Sequence, residues 1–450
     1  MTRHISVHKT LKAALVLLAL IAGFAPLGAE AVPSFAEQTG QRCSACHVGG
    51  LGPHLTQFGR EFKLGGYTLR ARTGFTNPLA AMAIASNVST RKDQDAAPPH
   101  YDTNNNLALD QISVFVAGGV GQYFGAFGQF TYDGIGRAFA WDQLDLRAAK
   151  QTTISGTDVL IGVDLNNSPG VQDAWNTLPS WGFPFTASSL APSPAAAPMI
   201  AEAFAQRVLG SSVYMMWNHA IYAEAGLYWT PGKKFLSAMG VDINDGDTMM
   251  KGAAPYARVA YTKDLGVQNF EIGAFAFFPK SYPGGNRLAG GDTFRDLGID
   301  ASWQYTGLSD VTVSVDARYT HEAQNLAASL ALNEAANRHN TLQETQIDAS
   351  YYWRNMIGVT VSPFHIWGST DSLFYADNRT MTPNSTGVIF QLDYTPWGAD
   401  VSPLGRRFNL RVGAQYTLYT ELNGATKDYD GQGHNASDNN TFRLFTWVAF

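Results

Sequence analysis

The chain has 450 residues, 44 of them glycine; 12% are aromatic, only 15% are charged, and the formal net charge is −6. That length exceeds one ordinary globular core, and the mild acidity excludes a nucleic-acid partner, which would call for a basic stripe. The two cysteines sit in one short motif, which excludes the disulfide framework that holds small exported scaffolds together.

Arg3, Lys9 and Lys12 form a positive start, Ala13 to Phe24 is apolar, and Ala29-Glu30-Ala31 is a small-x-small cleavage site. Residues 1–31 are therefore expected to be a signal peptide, with the mature chain starting at Val32. The apolar run is short for a membrane span and no charged stop-transfer sequence follows, which argues against an anchor. Cleavage removes three cations and one carboxylate, moving the net charge to about −8.

Residues 32–75 carry the motif Cys43-Ser44-Ala45-Cys46-His47. Two thiols separated by two residues lie on one side of a helical turn, at the spacing of the haem vinyl groups, and the adjacent histidine ligates iron. The spacing predicts one covalently bound haem c, attached through Cys43 and Cys46, with His47 as an axial ligand. A thioredoxin-like redox pair would want a βαβ context, and a structural zinc site a second pair of ligands; the sequence has neither. For the sixth position His54 is the first candidate, since six or seven extended residues reach roughly 20 Å. Met82 is the second, and a lumen residue, a water or an open position stays in play. Leu55, Phe58 and Phe62 predict a short helix within His54 to Leu64. About forty residues bury too little to be self-sufficient, so this segment is expected to lean on a cofactor, on the rest of the chain, or on both.

Residues 76–450 read as strand after strand of period two, with strands starting at about residues 204 and 405 among them. Val311, Val313, Val315, Ala317 and Tyr319 alternate with Thr312, Ser314, Asp316 and Arg318; Leu410, Val412, Ala414 and Tyr416 alternate with Arg411, Gly413 and Gln415. A face this rich in carboxylates and arginine would be costly in a dry sandwich core. It suits a wide barrel with a wet lumen and an outside that meets lipid. After the signal no run of eighteen apolar residues appears, so no helix spans a membrane. The expected fold is all-β, a barrel of roughly sixteen strands. Short connections at 118–122, 217–219, 263–267, 305–310 and 354–356 alternate with long ones at 92–106, 231–253, 321–340, 368–384 and 421–440. Short periplasmic turns and long external loops are the rule for outer-membrane barrels; Tyr132 to Arg137 is a short exception on the outer side. The last strand ends in Phe450 with Phe442, Leu444, Thr446 and Val448 on its parity, like the terminal strand of bacterial outer-membrane barrels. The segment 166–203, with Trp175, Trp181, Phe183 and Phe185, is long enough to be functional; it either folds into the lumen or caps the mouth. Acidic clusters at Asp242, Asp245 and Asp247, and at Asp428, Asp430, His434 and Asp438, read as solvated loop tips that can also attract divalent cations.

Pro33 to Gly40, the Cys43 to His47 motif and Leu55 to Leu64 together resemble the N-terminus of the outer-membrane monohaem cytochrome–porin fusions, the iron-oxidising type among them. The match covers Pro33 to about Tyr67. The resemblance implies a haem segment in or near a sixteen-stranded barrel, on its periplasmic side or in its lumen. It further implies electron transfer from extracellular Fe(II) or another donor to periplasmic electron-transfer proteins, with Fe(II) oxidase activity following from the iron donor. The competing expectation is a haem-plugged porin for small solutes, with Asp145, Arg147, Asp300, Asp316, Arg318 and Arg411 lining its lumen.

Overall fold

The computed structural model describes residues 33–71, 73–201, 203–243, 247–307 and 310–450. The expected signal peptide and its cleavage site lie outside the described residues, as does Asp245 of the first acidic cluster.

The first half of the wall is β1 (Leu79–Thr90), β2 (Asn106–Val120), β3 (Phe124–Asp133), β4 (Ala138–Ile154), β5 (Thr157–Asn166), β6 (Leu209–Trp217) and β7 (Ile221–Trp229). After the short β8 (Met249–Met250) come β9 (Ala253–Asp264), β10 (Gln268–Phe277) and the short β11 (Lys280–Tyr282). The wall then continues through β12 (Asp292–Thr306), β13 (Val311–Asn325), β14 (His339–Trp353), β15 (Ile357–Gly368) and β16 (Ser385–Tyr394). It ends with β17 (Asn409–Glu421) and β18 (Thr441–Ala449). Setting aside β8 and β11, which pair with each other in the outer loops, sixteen long strands each pair antiparallel with their neighbours. β1 pairs with β18, Met82 opposite Ala449 and Thr90 opposite Thr441. The barrel is closed, and closure removes the unpaired edges an open sheet would present.

The connections alternate as their spacing implies. One end of the barrel carries the tight turns at Gly121, Gly156, His219, Gly266 and Asn355 together with the longer connection 395–408, the other the remaining long loops and the short turn at 134–137. Along β13 the residues Thr312, Ser314, Asp316, Arg318, Thr320 and Glu322 face in and are buried, while the intervening valines and Tyr319 face out. The outer face is apolar, with Ile299, Leu297, Val259, Ile272 and Leu392 each more than half exposed, and with Tyr351, Trp353, Tyr394 and Phe124 towards the tight-turn end. Among the described residues no helix is long and apolar enough to cross a membrane.

Three boundaries differ from expectation, and each has a local reason. The helix in the N-terminal segment spans Gln57–Leu64 and begins where the Thr56 hydroxyl accepts the Gly59 amide, so Leu55 lies outside it. The strand expected from residue 405 starts at Asn409, because Ser402 to Gly405 forms a turn with its own bridge. β6 starts at Leu209 because the preceding residues belong to the inward-folded loop. A larger correction concerns the lumen. It is largely filled by the protein's own chain: Asp145, Arg147, Asp300, Asp316, Arg318 and Arg411 face inward as expected, and all six are buried beneath two plugs. Strand period reveals which face turns in and carries no information on what fills the space.

Candidate functional site

The first plug is the N-terminal segment, seated at the tight-turn end. Its helix Pro33–Thr39 presents Phe35, which stacks on Tyr67 at 5.1 Å and meets Phe62 edge-on at 4.9 Å. Gln38 donates to the carbonyls of Tyr67 and Leu69 and accepts the amide of Gly119 in the wall at 2.8 Å. Tyr67 donates to Asp145, and Tyr214 of the wall donates to the Leu64 carbonyl at 2.7 Å. The forty-residue segment thus finds its missing core against the barrel.

The thiols of Cys43 and Cys46 lie on the single helical turn Cys43–Cys46 and are both free and half-buried. The chain then doubles back. Val48 donates to the His54 carbonyl, Thr56 to that of Cys46, and His47 bridges Leu55. His54 is consequently a neighbour of the motif rather than the far end of an extended arm. The turn between them is pinned to the wall: Asn355 accepts the Gly49 amide, Arg411 donates to the Gly49 carbonyl, and Asn409 to that of Gly50. Gly50 has φ +76, and a Cβ there would stand 2.9 Å from the Cα of Gly398. Only glycine permits both that conformation and that approach.

Burial, followed by the Arg411 charge, lowers the His47 pKa to about 4. The ring stays neutral, the form in which imidazole ligates a metal. Its Nδ1 is buried with no partner. Burial pushes the Cys46 thiol up to about 12. Two thiols on one turn and a neutral imidazole with an unused nitrogen fit the donor set of a c-type haem. A cavity of about 10 Å³, lined in part by Val48, His54, Phe185, Asp348 and Arg411, adjoins the motif. A haem is far larger, so seating one requires the lining side chains to move apart.

His54 is buried, with Nε2 3.2 Å from Asp316 Oδ2 on β13 and its ring 5.1 Å from that of Phe185. Met82 faces inward on β1 beside Leu51, its sulfur 3.3 Å from Trp447 Nε1.

The second plug is the segment 167–208, which folds into the lumen. Trp175, Leu178 and Phe183 are buried, Arg318 donates to the Trp181 carbonyl, and Arg318 lies over the Phe183 ring at 4.6 Å. The two plugs touch. Leu55 donates to Asn176 at 3.0 Å, and the Lys63 ammonium donates to the carbonyls of Val171 and Asp173. Sequence reasoning passed over Lys63 and Asn176, because a contact 108 or 121 residues away leaves no local signal.

At the opposite mouth Asp430 and His434 come together as expected, 2.5 Å apart. Asp95, from another loop, completes their group; Asp428 and Asp438 turn elsewhere, the latter capping a turn and pairing with Lys92.

No protein-family model matches the chain, and no curated protein does either. Among solved structures it is similar to the outer-membrane channel DcaP of Acinetobacter baumannii, at 11% identity and a TM-score of 0.44 over 83% of this chain and 96% of that one. An anion-selective porin from Comamonas acidovorans aligns at 12% identity and a TM-score of 0.43, over 82% of this chain and 97% of that one. OprB of Pseudomonas putida aligns at 10% identity and a TM-score of 0.45, over 82% of this chain and 93% of that one. The strands and their closure define the class: a porin-like β-barrel of the outer-membrane type, plugged by its own chain.

Proposed function

We propose that this protein is an outer-membrane cytochrome–porin that moves single electrons across the membrane, oxidising extracellular Fe(II) and delivering its electrons to periplasmic electron-transfer proteins. The observation that carries the reading is the buried, unpartnered nitrogen of His47 beside two free thiols on one helical turn, inside a barrel. A haem bound there supplies a one-electron centre whose potential depends on its ligands and burial. Cys43 and Cys46 would anchor it through their thiols, neutral His47 would supply a nitrogen to its iron, and His54 is the candidate for a second nitrogen. The short-turn rule makes the plugged end periplasmic, so the segment faces the electron acceptor. Outside, Asp95, Asp430 and His434 offer one ligand atom each within 4.8 Å of one another, a set able to attract a divalent cation.

The competing reading is a haem-plugged channel for small solutes, favoured by the charged inward face of the wall. Single-channel conductance with and without haem separates the two: an electron conduit conducts little in either state.

Covalent haem staining on a denaturing gel tests the cofactor. Staining should be lost in the Cys43→Ala, Cys46→Ala double variant, and full staining there ends the reading. Mixing the oxidised protein in detergent with Fe(II), without oxygen, should sharpen the haem bands. If Fe(II) leaves the haem oxidised while another mild donor reduces it, iron is the wrong substrate and the electron conduit stands.

A further inference from the structure

The second plug does not fill its side of the barrel. Between it and β4 lies a cavity of about 180 Å³, walled on one side by Met199, Ile200, Phe204, Val208 and Phe277 and on the other by Asp142, Gln143 and Ser180. A cavity of about 150 Å³ accommodates benzene, so this one holds a small organic molecule. Its walls are fixed from several directions. Glu322 and Asp296 of the barrel accept the amides of Met199 and Ile200 at 2.6 and 2.7 Å. Trp141 Nε1 donates to the Gln206 carbonyl at 2.8 Å, and Asn167 ties the start of the plug to β4 by donating to the Asp142 carbonyl and accepting the Leu144 amide. The site is therefore preformed, as solute pockets usually are, and the exposed Ala205 in its lining places it at the solvent-facing edge of the plug.

Charge decides what such a cavity takes. Oδ2 of Asp142 accepts from Gln129 Nε2 and from the Thr131 hydroxyl, both neutral groups. Among the described residues that line the cavity there is no Lys, Arg or His, and Arg207 beside it is engaged by Asp247 at 2.8 Å. Gln143 Oε1 and Ser180 Oγ are buried with no partner. An anion is repelled from such a lining, and a neutral occupant leaves a half-buried carboxylate without a counter-charge, which is costly. We propose that this cavity is a binding site for a small organic cation, a primary amine with a compact apolar body. Its ammonium pairs with Asp142 and has two further hydrogens to donate, for which Gln143 and Ser180 hold the unpartnered oxygens. Its body lies against Phe204, Phe277 and the aliphatic side chains beside them. The site belongs to the wall and the second plug, so it stands or falls separately from the haem segment.

The test uses the full chain in detergent and ligand-observed NMR, with the signal from empty micelles subtracted. Benzylamine, benzyl alcohol and benzoate are close in shape and differ in charge. Benzylamine should bind saturably and about tenfold more tightly than benzyl alcohol, the worth of one hydrogen bond to a charged group, and benzoate should not bind. Asp142→Asn, whose amide oxygen still accepts from Gln129 and Thr131, should bring benzylamine down to the level of the alcohol. Ala201→Phe, which fills the cavity, should abolish binding of both. Each variant is checked for heat-modifiable migration, so that a folded barrel is being measured. Equal affinity of the wild type for benzylamine and benzyl alcohol overturns the proposal without recourse to any variant. So does an Asp142→Asn protein that binds the amine as well as wild type does. Benzylamine binding that survives Ala201→Phe puts the amine elsewhere and overturns the assignment, and a wild type that binds none of the three refutes the site.

Discussion

At His434 two outer loops are joined through one imidazole. Nδ1 lies 2.5 Å from Asp430 of its own loop and Nε2 3.4 Å from Asp95 of the loop after β1. The bond to Asp430 raises the His434 pKa, and bonds to His434 and nearby amides lower that of Asp430. The signs define a window. The raised histidine contributes fully below its ordinary value and loses its contribution as pH climbs through the folded value; the lowered carboxylate contributes above its ordinary value and loses it as pH falls. The join should therefore hold in mildly acidic solution and release as pH passes above the ordinary histidine range of about 6.5. Protection of amides in residues 422–440, taken relative to their intrinsic base-catalysed exchange rate, should fall over that rise in wild type and be low throughout in His434→Ala. Protection that stays constant with pH in wild type refutes the join. Gly59 raises a different issue at the same scale, because a Cβ there would stand 2.4 Å from the Cys46 carbonyl. Gly59→Val should push the helix Gln57–Leu64 off the motif and cut covalent haem staining severely. Undiminished staining would mean that this packing is dispensable for attachment.

Among the elements, the contact between the two plugs decides how firmly the lumen is closed. Lys63 is buried in the last turn of its helix and donates to carbonyls of residues 171 and 173. Burial lowers its pKa to about 8. In that case the unfolded chain binds more protons than the folded one between about 8 and the ordinary lysine value near 10.4, so stability rises with pH across that interval. The temperature at which the barrel loses its unboiled gel mobility should climb over this range in wild type, and the climb should flatten in Lys63→Met. The same variant should expose segment 167–208 to protease added to detergent-solubilised protein. If the segment stays as resistant as in wild type, the Lys63 contact is not what holds it.

For the whole molecule, a closed barrel with an apolar outside and polar ends has to sit in a bilayer. The protein should fractionate with the outer membrane and migrate differently before and after boiling; recovery as a detergent-free soluble monomer would rule the barrel out. A protease site inserted near Gly431, in a long loop, should be cut from outside intact cells, and one near Gly266, in a tight turn, should not. The reverse pattern would place the N-terminal segment on the cell exterior and overturn the periplasmic placement proposed for it.

Period-two alternation, loop alternation and the Cys43–His47 motif are local, and they were legible without coordinates because each is written in residues a few positions apart. Val311, Val313, Val315 and Tyr319 face outward for the same reason in sequence and in space. What stayed illegible is everything carried by contacts across the lumen. The sequence left segment 166–203 equally able to cap the mouth or to enter it; Arg318, Asp300 and Lys63 decide for entry by satisfying its backbone and side chains. His54 could be named as a ligand candidate from its nearness to His47, whereas its partner Asp316 could not. A buried carboxylate draws its partner from whichever segment the fold brings beside it, and that pairing exists only once the barrel has closed around the plug.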